Sequence, residues 1–160
     1  MNRDVNKQIE KRRLELGLTD TYVASEIGVT IDSYCDLEWY DSEIFEIPSI
    51  NIVKSLCKVL SIDFFSLFGI KCAFCKQKKD FNNDYLLPRN QLVKKKRESL
   101  ILSIEELSDC LNLQENAIRC IEEDINFLDT LVFTDFVRIA IALKLPLQIL
   151  LGVKCVKCNH

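Results

Sequence analysis

Apolar residues recur at helical intervals through both halves of the chain, and capping residues and glycines cut the pattern into five short predicted helices per half. In the first half an amphipathic stretch runs from about Asp4 to Leu16. Thr19 is placed to cap a second helix that Gly28 stops after Ile27, and Thr30 to cap a third through about Tyr40. An acidic, aromatic loop, Asp41 to Ile47, precedes a fourth helix opened by Pro48 and Ser49 and running to Leu60. Asp63 caps a fifth, and Gly69 sits where a left-handed cap closes it. The second half repeats the plan. Pro88 opens a helix through about Leu100, and Ser103-Ile104-Glu105-Glu106 spells a capping box for the next. Leu113 and Gln114 lead into a third through about Asp124. Further helices are expected over Thr130 to Leu143 and from Pro146 to Gly152.

The two halves share a register. Lys11, Arg13, Leu16, Leu18 and Glu38 return 84 positions later as Lys95, Arg97, Leu100, Leu102 and Glu122. Leu60, Leu67, Gly69, Lys71, Cys72 and Cys75 return after 83, so one residue is missing from the loop before the second copy's fourth helix. Deletions belong in loops, which supports the alignment. The expected organisation is an all-α chain with a first domain at 1–75, a linker rich in Lys, Asn and Asp at 76–87, and a second domain at 88–160.

Composition fits this picture. The chain has 160 residues, 48% of them hydrophobic, with four glycines and three prolines, which is enough apolar material for packed cores and too little for disorder. Units of about 80 residues are marginal alone, so a staple would help. No run of about 20 apolar residues predicts a membrane span, and the polar start does not read as a secretory signal. A cytoplasmic location is expected, and eight cysteines there read as metal ligands or core residues before disulfides.

Chemistry concentrates in a repeated word. Gly69-Ile70-Lys71-Cys72-Ala73-Phe74-Cys75 returns as Gly152-Val153-Lys154-Cys155-Val156-Lys157-Cys158. A Cys-x-x-Cys turn puts two sulfurs on one side, and two such turns supply the four soft ligands of tetrahedral zinc. Cys72, Cys75, Cys155 and Cys158 are therefore expected to hold one structural zinc ion. The competing arrangement is one ion per half, with Cys155, Cys158 and His160 starting one set. Of the other cysteines, Cys57 is expected in the core and Cys110 on the apolar side of its helix with Leu107 and Leu111, while Cys35 and Cys120 are expected to be partly exposed.

The run from Leu16 to Thr30, with Ala24, Gly28 and Val29, resembles the core of the lambda-repressor-like, Cro-type helix-turn-helix family, and Pro48-Ser49 resembles that family's Pro-Ser before helix four. Leu102 to Leu113 is a weaker copy, with Ser108 and Asn112 at the alanine and glycine positions. The resemblance implies buried ion pairs Arg13–Glu38 and Arg97–Glu122. It also implies duplex DNA as a partner, contacted by the third helix of each half. The DNA- or partner-binding candidates are Asp32, Ser33 and Asp36 in the first copy, and Gln114, Asn116 and Arg119 in the second. Lys94, Lys95 and Lys96 add basic charge on a first helix.

Electrostatics opposes that reading in the first half. No Lys or Arg lies between Thr30 and Glu43, and phosphate contacts need cations. The net charge of −3 gives no global attraction for nucleic acid. Two expectations follow. One is a zinc-stabilised tandem helix-turn-helix regulator that binds DNA. The other is a protein-binding module on a degenerate scaffold, such as an antitoxin, immunity protein or anti-repressor, whose acidic helices and loops hold a basic partner. No nucleophile–base pair or phosphate-cradling glycine loop is visible, so no catalysis is expected.

Overall fold

A computed structural model describes residues 4–72, 75 and 87–154, which form helices with no strand among them. The chain divides into two units, Met1–Cys72 and Ala73–His160. The segment expected to link them lies, for residues 76–86, outside the described residues.

The first unit contains α1 (Val5–Glu15), α2 (Asp20–Ile27), α3 (Ile31–Trp39), α4 (Glu43–Glu46), α5 (Ile50–Val59) and α6 (Phe64–Phe68). Side-chain caps set several of these starts. Thr19 accepts from Tyr22 N–H, Thr30 from Ser33 N–H and Asp63 from Ser66 N–H. Each cap satisfies an amide that the helix leaves unpaired, and each is worth about 1 kcal/mol. Ser49 stands at the start of α5 without a side-chain cap. α1 and α2 pack on α3, α2 packs on α5, and α6 returns to α1. Val5, Ile9, Val23, Tyr34, Ile50 and Phe68 are wholly enclosed. A fully buried side chain of this kind contributes about 1.5–3 kcal/mol, which makes this core the main stabiliser of the unit.

The second unit contains α7 (Arg89–Ser99), α8 (Ile104–Leu111), α9 (Glu115–Glu123), a 3-10 turn (Phe127–Thr130), α10 (Phe133–Ala142) and α11 (Leu147–Leu151). The capping box at Ser103 forms in full: Glu106 N–H donates to Ser103 Oγ, and Ser103 N–H donates to Glu106 Oε2 at 2.7 Å. α7 and α8 pack on α9, and α10 packs on α8 and α11.

The backbone repeats at its corners. Left-handed residues occur at Gly17, Gly28, Ser61 and Gly69, and again at Ile101, Asn112, Lys144 and Gly152. These corners pair in the same register as the side chains around them, including the one-residue step before the fourth helix. Asn112 holds the corner that Gly28 makes in the first unit, because asparagine tolerates positive φ better than most residues.

Some expectations needed correction. The acidic, aromatic loop at 41–47 and its counterpart at 123–129 each run into a turn of helix, α4 and the 3-10 segment, because Ile44 and Leu128 are fully buried and pull the loops onto the cores. The fourth helix of the second unit starts at Phe133 rather than Thr130, since Thr130 ends that 3-10 turn and donates its hydroxyl to Phe127 O. Cys110 is exposed. The buried stripe of α8 is Leu107, Ser108 and Leu111, and Cys110 falls beyond its edge.

Candidate interaction surfaces and the cysteine pair

Each third helix is locked from below by a buried ion pair. Arg13 donates through Nε and Nη2 to both oxygens of Glu38 at 2.7 and 2.8 Å, and through Nη1 to Leu18 O at 3.1 Å. Arg97 does the same with Glu122 at 2.6 and 2.9 Å and Leu102 O at 2.8 Å. One guanidinium thus ties the first helix, the following corner and the end of the third helix together, in the bidentate geometry that makes arginine–carboxylate pairs strong. Its hydrogen bond to Glu38 is the main reason that Arg13 is pushed above its ordinary value.

Two further parts of this clamp also repeat at 84 residues, a sequence signal masked by their polar surroundings. Asn6 Nδ2 donates to Trp39 O at 3.3 Å, and its counterpart Asn90 donates to Glu122 O at 3.2 Å. Both asparagines are buried on helices whose charge made them look solvated. In the first unit alone, Tyr34 adds its hydroxyl to Glu38 Oε1. Burial first, then Glu38, drives that phenol far above its usual range, so it stays a donor.

Above the clamp, α3 shows Ile31, Asp32 and Ser33 to solvent, with Cys35 and Asp36 half-exposed. Burial first, then the charges of Asp20, Glu38, Asp32 and Asp36, push the Cys35 thiol up. At its end Trp39 and Tyr40 are 68% and 54% exposed. The basic run on α1 does not offset these acids. Arg13 is in the clamp, Arg12 donates to Leu60 O and Glu15, and Lys11 lies 3.9 Å from Glu15.

The second unit differs at the same positions. Gln114, Asn116 and Arg119 are exposed, and Arg119 reaches back to Glu115 at 3.3 Å. Lys94 and Lys95 are exposed on α7 and Lys96 is half-buried. Ser108, at the position of Ala24, is accommodated by donating its hydroxyl to Glu105 O at 2.7 Å. Of the two aromatic loops, the first buries Ile44 and Phe45, whereas the second leaves Ile125 exposed and Phe127 half-buried.

Of the expected zinc ligands, Cys72 is half-buried and Cys75 exposed, and Cys155 and Cys158 lie outside the described residues. Among the described residues no group of three or more potential ligands gathers. Both cysteine words leave from the same kind of corner: Gly69 and Gly152 have φ of 63° and 62° and cap α6 and α11. Cys57 is buried in α5, and burial followed by Asp63 pushes its thiol up to about 12. Among the described residues no helix is long and apolar enough to cross a membrane.

No known protein family, curated protein or solved structure matches the chain.

Proposed function

We propose that the chain is a non-enzymatic protein-binding module, built on two tandem lambda-repressor-like helix-turn-helix units and directed at a basic partner. One observation carries this reading. From Leu14 to Val53 there is no Lys, Arg or His, while nine carboxylates fall in that stretch and only Glu38 among them is buried. The stretch spans α2, α3 and α4, the part that would face DNA in the family the sequence resembles. Carboxylates there repel phosphate and attract cations at long range, steering a basic protein and rejecting a duplex. The test is binding of an arginine-rich peptide and of a random duplex at low salt, both followed by anisotropy. Peptide binding that weakens in Asp32→Asn/Asp36→Asn supports the reading. Duplex binding with a steep salt slope and no peptide binding overturns it.

A specific observation favours DNA contact by the second unit. Residues 73–160 carry 13 basic and 12 acidic side chains, against 8 and 12 in residues 1–72. Gln114, at the N-cap of α9, and Asn116 and Arg119 on that helix are exposed, and such side chains read base edges. Under this second reading, Asn116→Ala and Arg119→Ala relax sequence preference, and Lys94→Ala/Lys95→Ala/Lys96→Ala lowers affinity for all duplexes.

The proposal includes one structural zinc ion held by Cys72, Cys75, Cys155 and Cys158. Support comes from the repeated spacing and from the matching glycine corners at the start of each word. Its chemistry would be that of a closed staple, with no open position for catalysis. Metal analysis of the purified chain decides it: one zinc per chain supports the shared site, two support separate sites, and none removes both.

A further inference from the structure

We infer that the corner joining α3 to α4 is a platform for an arginine or lysine side chain on a basic segment of a partner protein. This rests on the protein-binding reading and locates its anchor. Trp39, Tyr40 and Ile47 are all more than half exposed along this corner, an unusual density of large apolar surface next to so many charges. The carboxylates of Asp36, Asp41, Glu43 and Glu46 occupy the same short stretch, and all are exposed or half-exposed. An aromatic face attracts a cation through its quadrupole, and carboxylates beside it complete the match to a guanidinium or ammonium group. Phosphate meets no cationic side chain in this stretch and is repelled by its carboxylates.

The backbone beneath the platform is tied down from inside. Asn6 fixes the Trp39 carbonyl, Glu38 one residue earlier is clamped by Arg13, and Tyr40 N–H closes on Asp36 O at 2.9 Å. Aromatic side chains have few rotatable bonds, so on a fixed backbone they lose little entropy on binding. The C-terminal end of α3 adds partial negative charge from its last carbonyls. The feature belongs to the first unit only, because the positions equivalent to Trp39 and Tyr40 in the second hold Glu123 and Asp124.

Trp39 is the sole tryptophan of the chain, so its emission reports on this corner. The experiment titrates the full chain with an arginine-rich peptide, following peptide anisotropy and Trp39 emission together, with an acidic peptide and a random duplex as comparison ligands. Saturable change in both signals with the basic peptide alone is expected. Trp39→Ala should weaken binding roughly tenfold, and Trp39→Phe, which keeps a ring, should retain most of it. Asp41→Asn/Glu43→Gln should weaken binding by a similar factor, and Glu123→Gln/Asp124→Asn should leave Trp39 emission responsive. Binding seen by anisotropy with Trp39 emission unchanged overturns the platform while leaving the wider protein-binding reading intact. No peptide binding at low salt overturns both. A response of Trp39 to duplex in place of peptide also overturns the platform, as does emission already blue-shifted in the free chain, which would mean the corner is covered.

Discussion

Val5 and Phe45 in the first unit correspond, in the shared register, to Arg89 and Asp129 in the second. Val5 and Phe45 are buried, and Phe45 meets Phe68 edge-on with ring centroids 5.5 Å apart. Arg89 and Asp129 instead form a two-pronged ion pair at 2.9 and 2.8 Å, and Arg89 also donates to Leu150 O. Phe65, on α6, is likewise replaced by buried Gln148 on α11. The backbone corners stay in register throughout. At these positions the same run of corners is therefore backed by aromatic packing in one unit and by desolvated polar contacts in the other. Packing tolerates change in proportion to volume, whereas a buried polar network fails when one member is lost.

The largest loss is expected at the clamp that both units share. Glu38→Ala and Glu122→Ala each strand a guanidinium whose side chain is 14% or 11% exposed, and removing one partner of such a pair costs about 3–5 kcal/mol. Glu38→Ala should cost more, because it also leaves the buried Tyr34 hydroxyl without its acceptor, whereas the second unit has apolar Ile118 at that place. Urea unfolding of both variants checks this. Equal losses would show that Tyr34 contributes nothing to the clamp.

Next in size is the ion pair found only in the second unit. Asp129→Ala should cost about 2–4 kcal/mol, by the same logic of an unpaired buried charge, for side chains 19% and 16% exposed. The double replacement Arg89→Val/Asp129→Phe, which installs the first unit's residues, should recover most of that loss, since apolar replacements of buried pairs are often neutral. Gly152 must stay glycine in the single variant, because it is left-handed and an added Cβ would lie 3.3 Å from Arg89 Cδ and Nε. If the double variant is as unstable as the single one, the two units are not interchangeable at this corner.

Alkaline conditions should separate the units next. Cys57 and Tyr34 are buried in the first unit with raised pKa values, and their counterparts Ala140 and Ile118 do not titrate. A group raised on folding stabilises fully below its unfolded value and loses that contribution as pH climbs towards the folded one. For Cys57 the loss begins above about 8.5 and continues to about 12, at about 1.4 kcal/mol per pH unit. By about pH 10 the first unit should therefore have lost about 2 kcal/mol that the second keeps. Tyr34 joins above about 10. Urea titrations read by Trp39 emission follow the first unit, and amide exchange in α8 to α10 follows the second. Cys57→Ala should remove the early part of the difference.

Much of this was legible in the sequence because it was written in charge, caps and glycine. Arg13 with Glu38 and Arg97 with Glu122 stood out by equal spacing, and the caps at Thr19, Thr30, Asp63 and Ser103 by residue type and position. Asn6 and Asn90 share the 84-residue spacing, but their role was not legible, since an asparagine among polar residues looks solvated until the third helix is laid across it. Cys110 was misplaced because i, i+3, i+4 spacing admits two neighbouring stripes, and only packing against α9 and α10 chooses between them. The exchange of Phe45 for Asp129 was hidden too. A phenylalanine and an aspartate at equivalent places look unrelated until Arg89 is seen beneath one of them. The acid-rich face was legible as charge, but Trp39 and Tyr40 as exposed surface were not, because large aromatics are more often enclosed.

The smallest expected effect concerns the first corner of each unit, where Gly17 is matched by Ile101. Ile101 has φ of 58° and is 90% exposed. A β-branched residue in the left-handed region pays about 1–2 kcal/mol in backbone sterics, and at this exposure the side chain returns almost no burial. Ile101→Gly relieves that strain and loses part of the gain to the greater freedom of glycine in the unfolded chain. The net expectation is a stabilisation of about 1 kcal/mol, seen as a higher urea midpoint with unchanged slope. The reverse change, Gly17→Ile, meets no atom within 4 Å of the added Cβ, so the Cβ itself adds no clash, and the backbone cost should be similar in size and opposite in sign. Opposite shifts of comparable magnitude would establish that the two corners differ only in residue, not in geometry. A stabilisation by isoleucine in both units would instead mean that its side chain is covered in solution.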